Sequence, residues 1–336
     1  GGCCGTTPEH IKAVATSLKP LTVKQLSLPT KVKIIEIKPQ KPKVIITELK
    51  KNAAKKFLTI VEMETPKGIT LDSEIKWAKE MVNLGADAVS ISDSPMAKVR
   101  MNPLPLAHRI KQEVGLDVIL HVTCRDRNLI GLQSDLLAAY ALGIENILAL
   151  TGDPPSVGDY PYATVYEVTS KGLIEIVHKL NQGIDGLGNL LTESTGFWVG
   201  AAANGTPQNL DQEMVRLKTK LEAGAGFIIT QPVFDLELFA KFLKRIKSAF
   251  GEKIPVFAGI IPLFSLRQAE YLENEVPGIS IPDDIMHRFK KTGTDEAKVG
   301  IAITRDLIKK LKNLVNGICL MLPKGKHQLL RSVLEK

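Results

Sequence analysis

The sequence predicts an α/β protein, a closed (β/α)8 TIM barrel behind an N-terminal basic linker. Three observations carry that expectation. First, continuous apolar runs follow glycine-terminated helices, as in LGIENILALTGDPP (142–155), and buried parallel strands read this way because both faces are covered. Second, the same grammar recurs in LGADAVSIS, VGLDVILHV, AGAGFIITQP, FGEKIPVFAGI and NGICLML. Third, most of these runs end in a residue able to bind or react: Ser92, His121, Asp153 and Gln231. In a parallel barrel such residues collect on one rim, where active sites sit.

Length and composition bound the answer. The 336 residues suffice for one large domain and an appendage, and 44% are hydrophobic. No run of 18 apolar residues and no secretory signal is legible, so no membrane partner is expected. Four cysteines (Cys3, Cys4, Cys124, Cys319) are too few and too scattered for a disulfide framework, which points to the cytoplasm. The net charge of +8 is uneven: residues 1–56 hold twelve lysines and three glutamates, leaving the remainder near −1. A large basic face for nucleic acid is therefore not expected on the main domain, and the basic arm reads as a solvated linker.

Residues 1–20 carry GGCCGTTPEHI, with adjacent cysteines ahead of a helix start at Thr7, Pro8 and Glu9. Vicinal thiolates suit zinc. This motif resembles the C-terminal zinc motif of homocysteine S-methyltransferases, whose third cysteine lies earlier in that barrel. The chain is thus expected to be cut from a longer two-domain protein, with residues 1–20 as the remnant; Cys3 and Cys4 resemble two ligands of an incomplete zinc site and are expected to be idle, oxidisable thiols here. Residues 21–46 mix Lys with Pro29, Pro39 and Pro42 and read as a linker. A short helix over 47–56 is capped by Thr47, and a barrel domain is expected over 47–336.

From Phe57 strands are predicted to begin near residues 57, 86, 117, 145, 196, 226, 254 and 316, with amphipathic helices between them, such as 72–84, 129–142, 209–223, 236–249 and 296–314. Most strand starts lie near 30 residues apart, the size of a βα unit. The two long gaps follow the fourth and seventh strands, on the rim of the barrel. A doubly wound open sheet competes, but no G-x-G-x-x-G follows the first strand.

Individual residues allow both plain and chemical readings. Glu62 ends the first strand in FLTIVEMETPKG; it is either an ordinary strand-end carboxylate or a desolvated general acid. His121, in LHVTCRDRN, reads by itself as a satisfied structural histidine beside a polar rim of Thr123, Arg125 and Asp126, and Cys124 as a packed small hydrophobe. In Thr151-Gly152-Asp153-Pro154-Pro155, glycine permits close backbone approach, aspartate supplies charge and the prolines stiffen the loop. Gln231, in FIITQPVFD, offers an amide that both donates and accepts, as a heteroaromatic ring requires. Lys220 reads by itself as a solvated surface lysine.

Taken together, VEMETPKG, HVTCRD, ALTGDPP, LKTKLEAGAGFIITQPVFD and AGIIP, in this order, resemble methylenetetrahydrofolate reductase from Phe57 to the C-terminus. With the N-terminal fragment, the chain resembles a bacterial bifunctional protein joining a homocysteine methyltransferase to this reductase. The resemblance implies a barrel holding non-covalent FAD, with hydride passing from NADH or NADPH to the flavin and then to methylenetetrahydrofolate, feeding methionine synthesis. It implies Glu62 as the general acid, Asp153 as the charge beside flavin and folate, and Gln231 as the pterin ligand. It further implies FAD contacts at Ser92, His121, Thr151, Gly152, Asp153, Ala201 and Lys220. Ala203 and Asn204 depart from the family, standing where an aromatic residue often covers the flavin, and Lys326 stands where arginine is frequent. Which of Tyr160, Tyr162 and Tyr166 meets the flavin stays open. Expected partners are the folate, the nicotinamide dinucleotide, the upstream methyltransferase domain and further copies of the chain in a homo-oligomer; nucleic acid is not among them.

Two other classes compete. A pterin-binding barrel that hands a methyl group to a corrinoid protein needs no flavin, and a non-catalytic barrel serves as a docking partner for the methyltransferase.

Overall fold

The computed structural model describes residues 5–17, 47–160, 165–251, 253–276, 278–291, 293, 295–322 and 328–334. Cys3, Cys4, the expected linker 21–46, Tyr162 and Lys326 lie outside them. The chain divides into two compact units, 1–38 and 39–336. In the first, α1 (Pro8–Ser17) opens on the expected proline and buries none of its residues.

The second unit begins with α2 (Glu48–Ala53), where the Thr47 side chain accepts from Lys50 N at 3.2 Å. Eight strands follow: β1 (Leu58–Glu64), β2 (Ala88–Ser92), β3 (Asp117–Thr123), β4 (Asn146–Leu150), β5 (Trp198–Ala203), β6 (Phe227–Pro232), β7 (Val256–Ile260) and β8 (Gly317–Met321). Each pairs in parallel with the next, and β8 returns to β1, closing the barrel. The outer layer holds α3 (Asp72–Asn83), α4 (Pro103–Glu113), α5 (Leu129–Ala141), α6 (Ser170–Asn181), α7 (Leu210–Glu222) and α8 (Leu236–Phe250). The long β7–β8 crossover carries α9 (Leu266–Glu275), α10 (Asp283–Lys290) and α11 (Glu296–Leu311), and α12 (Gln328–Leu334) ends the described chain. Among the described residues, no helix is long and apolar enough to cross a membrane.

The expected (β/α)8 architecture is therefore present, with every strand starting within two residues of its predicted position. The glycine grammar needs one correction. Gly85, Gly115, Gly143, Gly224 and Gly251 end helices with positive φ, as expected. Gly317 instead opens β8, where an added Cβ would come 2.3 Å from Leu58 O across the seam with β1.

Alternate strand residues face inward. Leu58, Ile60, Ala88, Ile119 and Leu148 pack inside with Trp198, Phe227 and Phe257. The Trp198 and Phe227 rings lie 4.4 Å apart between centroids, so the lower lumen is filled rather than open. Leu49 and Ala53 of α2 belong to the same cluster and close its N-terminal end, where Asn316 Nδ2 donates to Ala53 O at 3.1 Å. The other strand face packs against the helices in a larger cluster that includes Val61, Val89, Leu120, Ile147 and Ile318.

Candidate active site

Above the aromatic layer the inward positions turn polar, because the alternation that buries Leu58 and Ile60 carries Glu62 and Glu64 to the same face. The β1–β2 register sets Glu62 beside Ser90 and Glu64 beside Ser92. His121 comes in from β3, with its Nε2 2.6 Å from Ser90 Oγ. Ser92 is buried, and its hydroxyl donates to Met63 O at 3.4 Å.

The electrostatics of this floor are unusual. Glu62 is half-buried. Protein encloses the carboxyl itself. That desolvation, with a smaller contribution from the like charge of Glu64, raises its pKa from 4.5 to about 7. At neutral pH its protonated and ionised forms are comparably populated. His121 moves oppositely: burial disfavours the cation, Asp93 partly opposes this, and the pKa falls from 6.5 to about 4. The imidazole is therefore neutral under physiological conditions. Cys319, buried on β8, has its thiol pushed well above the usual range, by burial first and by Glu62 second.

The loop after β4 is held by its neighbours. Gly152 takes φ +95, and an added Cβ would come 2.9 Å from Arg125 Cβ. Arg125, only 2% exposed, donates to Asp153 O at 3.2 Å and to Ser94 O at 3.0 Å. Tyr166 Oη also donates to Asp153 O, at 3.0 Å, so Tyr166 is a tyrosine that reaches this loop. Asp153 itself is exposed, and its Oδ2 accepts from Met96 N at 2.6 Å. Ser94, Met96 and Ala97 all take positive φ in that contacting segment, a concentration of backbone strain of the kind found around functional sites. Thr151 is exposed, and its Oγ1 accepts from Ser170 N at 3.1 Å, capping α6. A cavity of about 540 Å³ lies between the Thr151–Pro155 loop and residues Tyr166–Thr169.

The far side of the mouth carries Gln231, which is exposed at the end of β6. The β6–β7 register shifts between Ile229 and Pro232, and Gly259 N donates to Thr230 Oγ1 at 3.0 Å rather than continuing the ladder. Such a bulge re-aims the side chain it carries. Asn204 Nδ2 donates to Gly278 O at 3.3 Å, so the residue standing where an aromatic was expected ties down a rim loop instead.

Two expectations change. Lys220 is not a solvated surface lysine: it is half-buried, Nζ donates to Ala202 O at 2.8 Å, and burial lowers its pKa against the opposing charge of Glu213. Ala201 is fully buried in the layer between barrel wall and helices. Its methyl faces away from the lumen, leaving only backbone for a ligand contact there.

Sequence reading missed Ser90, Asp93 and Arg127. Ser90 was legible as the partner of Ser92 in SIS, since period-two spacing puts both on one face. Asp93 is buried and accepts from Thr123 N at 3.0 Å, Thr123 Oγ1 at 2.8 Å and Arg127 Nη1 at 2.6 Å; Arg127 also meets Asp135 at 2.9 Å. No local signal marks that network, because its members come from the loop after β2, the end of β3, the β3–α5 loop and α5. Cys124 is buried, with its thiol pushed up to about 12, and packs as the small hydrophobe expected. Among the described residues no cluster of His, Cys, Asp and Glu could hold a metal.

Comparison with known proteins adds to this geometry. Residues 48–327 match the family model described as Methylenetetrahydrofolate reductase. Methylenetetrahydrofolate reductase 2 of Schizosaccharomyces pombe is 28% identical over 228 residues, 63% of this chain and 34% of that protein. The 5,10-methylenetetrahydrofolate reductase of Salmonella typhimurium is 27% identical over 203 residues, 60% of this chain and 63% of that protein. The chain thus spans about a third of the yeast relative and under two thirds of the bacterial one. A solved structure is similar in fold, with TM-score 0.58 and 14% identity over 86% of this chain and 97% of that one. It is an uncharacterized Clostridium thermocellum protein that binds two copies of 5-methyl-5,6,7,8-tetrahydrofolic acid.

Proposed function

The chain belongs to the methylenetetrahydrofolate reductase family, and on that premise we propose that it reduces 5,10-methylenetetrahydrofolate to 5-methyltetrahydrofolate, with NADH or NADPH as electron donor and FAD bound at the barrel mouth. The observation that carries this reading is Glu62, a carboxyl that burial and the like charge of Glu64 hold at a pKa of about 7. A group so placed is an effective proton donor near neutral pH.

The residues present fit a flavin by the chemistry of their donor set. Ser92 and Thr151 offer hydroxyls to a ring edge with alternating donors and acceptors, and the cavity of about 540 Å³ adjoins Thr151 and Gly152. Arg125 and Arg127 contribute less, being engaged by Asp126, Asp93 and Asp135. When bound, the flavin supplies the hydride relay between nicotinamide and folate. Glu62 donates a proton to the bridging nitrogen of the folate's five-membered ring, which opens the ring toward reduction. Asp153 places a negative charge where the substrate becomes cationic. Gln231 orients the pterin through its amide. Lys220, with its Nζ on Ala202 O, secures the β5 rim against α7.

The upstream methyltransferase partner, the homo-oligomer, the cytoplasmic setting and the link to methionine synthesis belong to the same reading. The first rests on GGCCGTTPEHI, whose cysteines lie outside the described residues.

Anaerobic stopped-flow absorbance separates the half-reactions. The purified, FAD-loaded chain should be yellow, bleach with NADH or NADPH, and recover colour with methylenetetrahydrofolate. Glu62→Gln should bleach at a near-normal rate and recover about 10²–10⁴-fold more slowly, the usual loss for a positioned general acid. Asp153→Asn should also slow recovery more than bleaching. Equal slowing of both phases in Glu62→Gln would remove the role given to Glu62. A colourless protein that takes up no FAD would sink the reductase reading and favour a pterin-binding barrel without flavin.

A further inference from the structure

We propose that Ser90 is a positioning residue for this reaction: its hydroxyl donates to Nε2 of His121 and holds the ring as the Nδ1–H tautomer, an uncharged neighbour on the floor that Glu62 occupies. The inference rests on the reductase reading for its kinetic consequence, but its structural content stands apart from it.

The geometry is specific. Ser90 is fully buried, His121 is 6% exposed, and 2.6 Å separates Oγ from Nε2. A hydroxyl can donate to a neutral imidazole nitrogen or accept from it; among the described residues His121 Nε2 is the one acceptor within hydrogen-bond distance of the buried Ser90 hydroxyl, so its proton goes there and Nδ1 carries the ring proton. Nε2 is the ring nitrogen farther from the β3 backbone, so that end of the ring is engaged by protein. The β1–β2 register places Ser90 directly beside Glu62. The hydroxyl therefore stands at the junction of the acid and the imidazole.

The surrounding charges explain why this matters. Facing Glu62 are Glu64 on its own strand, Ser90 and Ser92 on β2, and Cys319 and Met321 on β8. None of these is a cation; Glu64 is a like charge, and it is itself paired with Arg100 at 3.4 Å. Facing His121 are Ser90 on β2 and the carboxylate of Asp93, itself paired with Arg127 at 2.6 Å. A protonated His121 would put a positive charge on the same floor and favour ionised Glu62, removing the proton that the acid has to give. Donation from Ser90 stabilises the neutral ring, because an imidazolium could only reverse the bond and would leave the buried hydroxyl proton without an acceptor. Remove the donor, and the ring should protonate more readily while Glu62 ionises at lower pH.

The alternative is that the bond only satisfies two buried polar groups. That would cost stability on mutation but leave both titrations where they were. Two readouts decide. The first is the NMR titration of the His121 ring in the full chain, assigned by the signal lost in His121→Asn and followed with or without FAD. The second is the pH at which the rate of flavin reoxidation by methylenetetrahydrofolate falls on the alkaline side. In the wild type His121 should remain neutral to below pH 5, and the rate should fall around pH 7. In Ser90→Ala the ring should take up its proton at about tenfold lower acidity, and the alkaline fall should move to lower pH. Ser90→Thr, which keeps the hydroxyl, should restore both.

Unchanged titration and an unchanged pH limb in Ser90→Ala would overturn the proposal, as would a wild-type His121 that titrates near an ordinary histidine. Should Ser90→Ala fail to fold, Ser90→Cys, of similar volume and a weaker donor, must shift both readouts in the same direction or the proposal fails. A chain with no folate-dependent reaction would defeat the reductase reading while the ring titration still decides the role of Ser90.

Discussion

A single carboxyl, Glu62, carries the largest consequence at the residue scale. Its rise from 4.5 to about 7 is paid in stability, because the folded barrel holds the proton more tightly than the unfolded chain does. The sign follows. Below about pH 4.5 both states are protonated and the penalty vanishes; it grows through neutrality and is complete above the folded value. With about 1.4 kcal/mol for each pH unit and a discount for partial exposure, the penalty at pH 8 is about 2 kcal/mol. Glu62→Gln should therefore stabilise the barrel by about 2 kcal/mol at pH 8 and by almost nothing at pH 4. Urea melts at the two pH values check this, and equal effects at both would refute it. His121 acts on the acid side: its folded value of about 4 means that stability is lost as pH falls from 6.5 toward 4. Glu62, Asp153 and Gln231 were legible because each ends an apolar run. Ser90 and Asp93 acquire meaning only from partners on neighbouring strands. The direction of Ala201 was equally hidden, since a one-residue change of phase exchanges lumen for helix layer.

The element least expected to matter is α2. Its cap was readable from Thr47 and its lysines mark its end, but its function as a plug was not. Leu49 is 1% exposed against the same inner cluster as Leu58 and Phe227. Leu49→Ala should therefore destabilise the barrel by about 2–4 kcal/mol, as buried leucine truncations do. A chain beginning at residue 47 keeps this plug, whereas one beginning at residue 57 loses it and should unfold at lower urea. Equal midpoints for the two chains would show that the plug contributes nothing. The β6 bulge belongs to the same scale. Gln231 reads in the sequence as the amide that ends an apolar run, and only the shifted pairing with β7 shows that it stands at a break in the ladder.

At the scale of the whole molecule, closure is the governing fact. The β1–β8 seam joins the first and last strands of the barrel, with Leu58 paired to Gly317 and Glu62 to Met321. This seam leaves no edge for association and brings Cys319 next to Glu62. A methyl at Gly317 has no room, with Leu58 O 2.3 Å from its Cβ position. Gly317→Ala should therefore lower stability by about 1–3 kcal/mol through overpacking. It should also weaken protection of the β1 and β8 amides in hydrogen exchange more than that of β4. Uniform loss of protection around the barrel would argue against a local opening of the seam. Charge is distributed at this scale too: the lysine excess lies in residues 1–56, and the remainder, near neutral, carries the site.

The sequence by itself determined the eight strands, their order and the rim on which chemistry-bearing residues gather. Apolar runs, helix-stop glycines and a spacing near 30 residues are local signals, and a parallel barrel converts them directly into topology. It also marked Glu62, Thr151-Gly152-Asp153 and Gln231 as the residues to watch. Tertiary structure alone decided that Glu62 titrates near 7, that Ser90 engages His121, that Lys220 is half-buried and that Ala201 faces outward. Desolvation, hydrogen bonding across strands and the direction of a side chain depend on atoms brought together from distant parts of the chain. No window of sequence contains them.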